Sequence, residues 1–200
     1  MISIKRIKRE TVKKIILDFI PAFLGVLIAL LLNNYVENRK ENRFLKQSFQ
    51  NVYNINKENI KAIEASIKNI KNNVDTLNFY KNNNKSTIFD CIAANKGISV
   101  KTQKKISLHI FRDSRFLTKI DFNLISLFGE LEENHTEISQ SYKNRMVYIL
   151  QSEVYSTDYK SKELLILALN DYISGMMQIE KCSKEINNYL LEKELVEDNL

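Results

Sequence analysis

Hydrophobic positions fall along this chain in three patterns, and each predicts a different kind of helix. From Phe19 to Val36, eighteen consecutive residues carry no formal charge. At 1.5 Å per residue the run is ~27 Å long, close to the ~30 Å hydrocarbon core of a bilayer. The second pattern is a single stripe. Phe49, Tyr53, Ile60, Ile63, Ile67, Ile70, Val74 and Leu77 follow a 3-4 spacing broken only at Asn56, with Lys, Glu and Asn between them. This heptad seam predicts an amphipathic helix ~42 Å long. The polar run Asn82-Asn83-Asn84-Lys85-Ser86 ends it.

Shorter periodic stretches make the third pattern. They predict helices over Ile88–Ala94, with Gly97 as C-cap, over Lys101–Phe111, over Phe122–Leu131 capped by Asp121, and over Ile138–Tyr155. A last helix starts near Thr157-Asp158 and runs to about Glu197, with a seam at Leu165, Leu169, Tyr172, Met176, Ile179, Ser183, Ile186 and Leu190. One proline and four glycines punctuate the chain and strand-like alternation is scarce, so the fold class is all-α. One N-terminal transmembrane helix is expected, then an elongated antiparallel helical bundle with long first and last helices. The expected divisions are a basic tail at 1–14, an anchor at 15–36 and a helical bundle domain at 37–200. Isoleucine at both heptad positions leans toward bundle packing or higher-order association, although the seams could instead serve intermolecular coiled coils.

The net charge of +6 suggests a polyanionic partner until its position is read. Lys5, Arg6, Lys8, Arg9, Lys13 and Lys14 meet only Glu10 in the first fourteen residues, a local +5 that leaves +1 for residues 15–200. A nucleic-acid surface needs its bases on the ordered domain, so nucleic acid is not an expected partner. Membrane lipid is. Bases preceding an apolar span keep that side in the cytoplasm. The expected location is therefore the cytoplasmic (inner) membrane, single-pass, with the N-terminus inside and the bulk of the chain in the periplasm. Asn33, Asn34 and Tyr35 offer no small-residue cleavage site, which favours an uncleaved signal-anchor over a signal peptide. Asp18 can cap the spanning helix with Pro21 in its first turn, leaving residues 4–17 as a separate interfacial helix. One helix continuing through Pro21 is the alternative.

Candidate chemistry is sparse. His109 lies in an apolar context, and His135 follows Glu130-Leu131-Glu132-Glu133-Asn134 at what reads as a solvated helix end. Glu133 and Glu137 flank His135 without a recognised ligand spacing. There is no P-loop, G-x-G-x-x-G, G-x-S-x-G or C-x-x-C, so no catalysis, cofactor or metal is expected. Cys91 and Cys182 could form a disulfide in an oxidising compartment, or be two small buried residues. The anchor holds the most specific signal: Ala22, Gly25, Ala29 and Asn33 share one face, where small residues allow close helix approach and an amide can bond across.

The run from Asp18 to Glu37 resembles the signature of a group of single-pass, N-terminally anchored membrane proteins found mainly in Bacteroidetes, a domain of unknown function. The matching positions are Asp18, Gly25, Leu27, Ile28, Ala29, Leu30, Asn33, Asn34 and Glu37. Tyr35 stands where that group usually has Trp. The resemblance implies an anchor plus an α-helical domain and brings no activity with it. The expected function is a membrane-anchored scaffold or accessory subunit of the bacterial envelope, acting through self-association or another membrane protein. The alternative is a ligand-sensing extracytoplasmic bundle that signals through a partner membrane protein.

Overall fold

The computed structural model describes residues 9–198 apart from 102, 105 and 107. Every regular element among them is helical: α1 (Arg9–Phe79), α2 (Ile88–Ala93), a 3-10 turn (His109–Arg112), α3 (Ser114–Leu117), α4 (Phe122–Glu137), a π-helical turn (Ile138–Tyr142), α5 (Lys143–Glu153) and α6 (Tyr159–Glu192). The all-α class is therefore observed. The chain divides into two compact units after Lys46, and α1 contributes to both.

In the first unit α1 carries the uncharged stretch Phe19–Val36. Leu17 to Val36 are exposed without exception, and none of the most apolar 18-residue window is buried in the protein. Pro21 lies inside the helix. The chain thus takes the continuous alternative: Asp18 is an interior helical residue, not an N-cap, and residues 9–17 run on into the apolar segment. Residues 1–8, with most of the basic tail, lie outside the described residues.

The second unit is built around α6. Its predicted seam is buried along its whole length, and Ile166, Ala168, Ile173, Gly175, Cys182 and Asn187 are buried beside it. A buried face this wide serves neighbours on more than one side. Toward α1 and the turn after it, Asn56 Nδ2 donates to Asn187 Oδ1 at 3.2 Å, Lys184 lies 3.7 Å from Glu64, and Lys81 pairs with Glu163 at 2.9 Å. Toward the other helices, Cys182 Sγ donates to the Leu127 carbonyl at 3.3 Å, and Arg145 pairs with Asp171 at 2.9 Å. The stacked rings of Phe49, Phe111 and Phe128, with centroids 5.3 and 4.7 Å apart, tie α1 through the 3-10 turn to α4.

The helix starts have clear local causes. Asp121 accepts from Asn123 N–H, Asp158 accepts from Lys160 and Ser161 N–H, and Thr87 forms a reciprocal capping box with Asp90. Three expectations need correction. Residues 101–108 contain no helix among those described; only His109–Arg112 coils, as a 3-10 turn. The last helix stops at Glu192, five residues early, and Glu194 follows with a φ of 53°. Finally, the helix expected over Ile138–Tyr155 begins as a π turn continuous with α4. That wider turn seats against bare α6 backbone. A Cβ at Gly175 would lie 2.7 Å from Ile138 Cγ1 and 3.0 Å from Tyr142 Cε2, closer than packed carbons tolerate.

Candidate functional site

Two surfaces of α1 carry the features from which function can be argued. On the first, Ala22, Gly25, Ala29 and Asn33 are all exposed, and a Cβ at Gly25 would meet nothing within 4 Å. Helical geometry places the four within one narrow face. The surrounding leucines, isoleucines and phenylalanines are equally uncovered; Leu31, for example, is 60% exposed.

The second surface faces the interior of the second unit. Ile63, Ile67, Ile70, Val74 and Leu77 of the predicted seam are buried and Ile60 is half-buried, so this protein covers the stripe with its own chain. Beside that stripe runs a line of polar side chains. Asn59, Ser66 and Asn73 are buried and Asn69 is half-buried. All four bond to main-chain groups of residues 97, 99, 101 and 104, which lie outside any helix. Asn59 holds Lys104 by both groups, Nδ2 to the carbonyl at 2.9 Å and Oδ1 from the N–H at 2.7 Å. Ser66 Oγ accepts from Lys101 N–H at 2.9 Å while donating to Ala62 O. Asn69 Oδ1 accepts from Ser99 N–H at 2.7 Å, and both Asn69 and Asn73 donate to the Gly97 carbonyl at 3.2 Å.

The spacing explains why the ladder works. From residue 59 to 73 a helix rises ~21 Å, and the seven steps separating residues 97 and 104 can reach ~23 Å in a non-helical chain. Rising numbers on the helix meet falling numbers on the segment. The rungs capture main-chain groups that would otherwise need a helix or sheet to satisfy them, which is why residues 98–101 lie outside any regular element. Of the segment's own side chains, Ile98 is half-buried, whereas Ser99, Val100, Lys101 and Lys104 are exposed. The ladder was visible as Asn/Ser at 59, 66, 69 and 73, a second heptad stripe running beside the apolar one. In the sequence these residues read only as polar positions between the apolar ones.

Lys162 was likewise missed. It is wholly buried, and its Nζ donates to the carbonyls of Tyr80 (2.9 Å) and Asn83 (2.7 Å), just past the end of α1. A cation there meets the negative end of the helix dipole and supplies donors to carbonyls without helical partners. Lys81 adds an ion pair to Glu163 and lies 4.5 Å from the Tyr159 ring.

The cysteines do not form the disulfide considered above. Both are free and buried. Burial, with Glu130 and Glu185 nearby, pushes the Cys182 thiol up to about 12, and burial raises that of Cys91. Such thiols are poor nucleophiles. Half-buried His135 closes α4, and burial holds its imidazole below the usual range. His109 opens the 3-10 turn, and its side chain lies outside the described residues. Among the described residues no three His, Cys, Asp or Glu side chains are gathered as metal ligands. Comparison with known proteins returned no matching family model, no similar curated protein and no similar solved structure.

Proposed function

We propose that this chain is a single-pass membrane protein, anchored by α1 and carrying an antiparallel helical bundle that acts as a scaffold or accessory subunit of a bacterial envelope. One observation carries the reading: a helix whose Phe19–Val36 stretch carries no formal charge and is exposed on every side. In water that surface would far exceed the few hundred Å² of contiguous apolar patch that soluble monomers expose. In lipid it needs no further partner. The six bases at residues 5–14 favour an N-terminus in the cytoplasm of an inner membrane and a bundle in the periplasm. The order of contacts of α1 and the turn that follows it with α6, 56 with 187, 64 with 184 and 81 with 163, supports the antiparallel arrangement.

Self-association, or association with another membrane protein, is read from the Ala22, Gly25, Ala29 and Asn33 face, which allows helices to approach closely in lipid. The absence of catalysis is part of the proposal, motivated by sequence motifs alone. The resemblance of residues 18–37 to anchored Bacteroidetes proteins fits the same architecture.

The test is fractionation of native membranes. The protein should stay in the pellet through high-salt and alkaline washes and leave with detergent; release by salt would mean that headgroup electrostatics alone held it. A periplasm-dependent reporter fused after residue 60 should be active. A silent reporter there, with a cytoplasmic one active, would reverse the orientation.

A further inference from the structure

The amide ladder binds a polypeptide main chain, and nothing in its chemistry requires that main chain to come from the same molecule. We infer that the ladder is an exchangeable site for an extended segment, filled here by the chain's own strap at residues 97–101 and 104, and that a second copy of the chain can fill it in trans. The choice of a second copy rests on the proposed scaffold role, in which copies meet in the plane of the membrane.

Three observations carry the exchange. Every bond from Asn59, Ser66, Asn69 and Asn73 to the strap goes to an N–H or carbonyl of the strap backbone. The same segment from another copy satisfies those rungs identically, so closed and exchanged forms differ mainly at the hinge and in association entropy. Four of the strap's side chains, at 99, 100, 101 and 104, are exposed and Ile98 is only half-buried, so lifting the strap removes no fully buried apolar side chain among these five. A hinge is also present at its start. Lys96 and Gly97 are consecutive left-handed residues, with φ of 61° and 91°, and the Gly97 N–H turns back to the Ile92 carbonyl at 3.0 Å. Opening this turn would let Lys96 relax into an ordinary conformation.

Hinge geometry makes Gly97 the lever. A side chain there strains the closed turn, where φ is positive, and leaves an open, extended hinge unstrained. Gly97→Ala therefore shifts the protein from closed monomer toward exchanged dimer.

The experiment uses the full-length chain in native membranes. Two differently tagged copies are co-expressed, one Asn69→Cys and the other Ser99→Cys, and mild oxidation is followed by capture on one tag and detection of the other. The native cysteines can stay, since both are buried with thiol pKa values raised above the ordinary range. The expected result is a disulfide-linked, mixed-tag dimer, increased several-fold when Gly97→Ala is added to both copies. The Asn69→Cys/Ser99→Cys double variant, expressed alone, reports closure within one chain. An internal bridge in that variant, with no mixed-tag dimer and no effect of Gly97→Ala, would overturn the exchange. So would failure to bridge in either arrangement, because the juxtaposition of 69 and 99 is the foundation of the site. If amine crosslinking shows dimers while the strap pair never bridges, copies associate through another surface and the scaffold proposal survives. Loss of all crosslinked species ends both.

Discussion

The two halves of α1 place apolar side chains in opposite ways. Residues 17–36 present them all round the helix and bury none; residues 49–77 confine them to one stripe and bury nearly all of it. Backbone geometry is the same in both. The difference lies in the side chains between the apolar ones: Lys, Glu and Asn in the second half, more leucine and isoleucine in the first. A helix does not need a protein core if its surroundings are themselves apolar, and it cannot do without one if they are water.

The comparison breaks most sharply if the first half is given charge. Replacing Leu24 and Ile28 by Lys should cost ~5–7 kcal/mol of insertion if each central charge costs ~2.5–3.5 kcal/mol. The protein should then appear in the alkaline supernatant with its helical circular dichroism retained. Retention in the pellet would show that residues 17–36 are not the anchor.

The next test reads the same truncation in both halves. Ile186→Ala, at a fully buried position facing the interior, should lower unfolding stability by about 2–5 kcal/mol. Leu27→Ala, exposed in the apolar segment, should leave the melting of the second unit unchanged. Equal effects would erase the distinction.

Gly175→Ala is expected to cost about 1–3 kcal/mol, because its Cβ must displace Ile138 or Tyr142. Faster amide exchange across residues 138–142 would accompany the loss; a neutral variant would show that the π turn yields without cost. Within the anchor, Gly25→Leu should weaken association of the span several-fold in a transmembrane reporter, while Leu27→Ile should not. Asn33→Leu should lose the contribution of an interhelical polar contact, about 0.6–2 kcal/mol.

The smallest effect concerns His135. Its imidazole is held below the ordinary value of 6.5 by burial, so the folded state resists protonation. Its contribution is complete above pH 6.5 and is lost as pH falls toward the lower folded value. The melting temperature should decline through that window, and His135→Gln should remove that part of the slope. An unchanged slope would assign the titration elsewhere.

Much of this was legible beforehand, and for a physical reason. Asp121 and Asp158 cap their helices as their positions suggest, because capping is a local interaction written in adjacent residues. The seams of α1 and α6 are buried for the same reason that they are periodic. What stayed hidden depends on distant partners. Lys101–Phe111 reads as helical in isolation, yet Ser66 and Asn59, some forty residues earlier, offer its backbone other bonds. Lys162 looks like any surface lysine until the end of α1 arrives above it. The π turn needs a glycine more than thirty residues downstream. Asp18 was misplaced because an acid before proline resembles a helix start, whereas the apolar segment continues the helix on both sides. Of the candidate site, the small-residue face was readable from spacing alone; the ladder's residues share a spacing too, but the segment they bind could not be read from it.

Recognition through the main chain alone has an evolutionary consequence for the strap. Positions 99, 100, 101 and 104 point into solvent and are bound, where they are bound, through groups common to nearly every amino acid. They should drift freely among descendants of this gene, with a single prohibition: proline at 99, 101 or 104 removes an N–H that a rung requires. The rungs themselves cannot drift in the same way. A library randomised over the strap should therefore return diverse survivors lacking proline at those three places, whereas one randomised at 59, 66, 69 and 73 should return nearly the starting residues. The information that shapes this loop is stored in the helix it lies against.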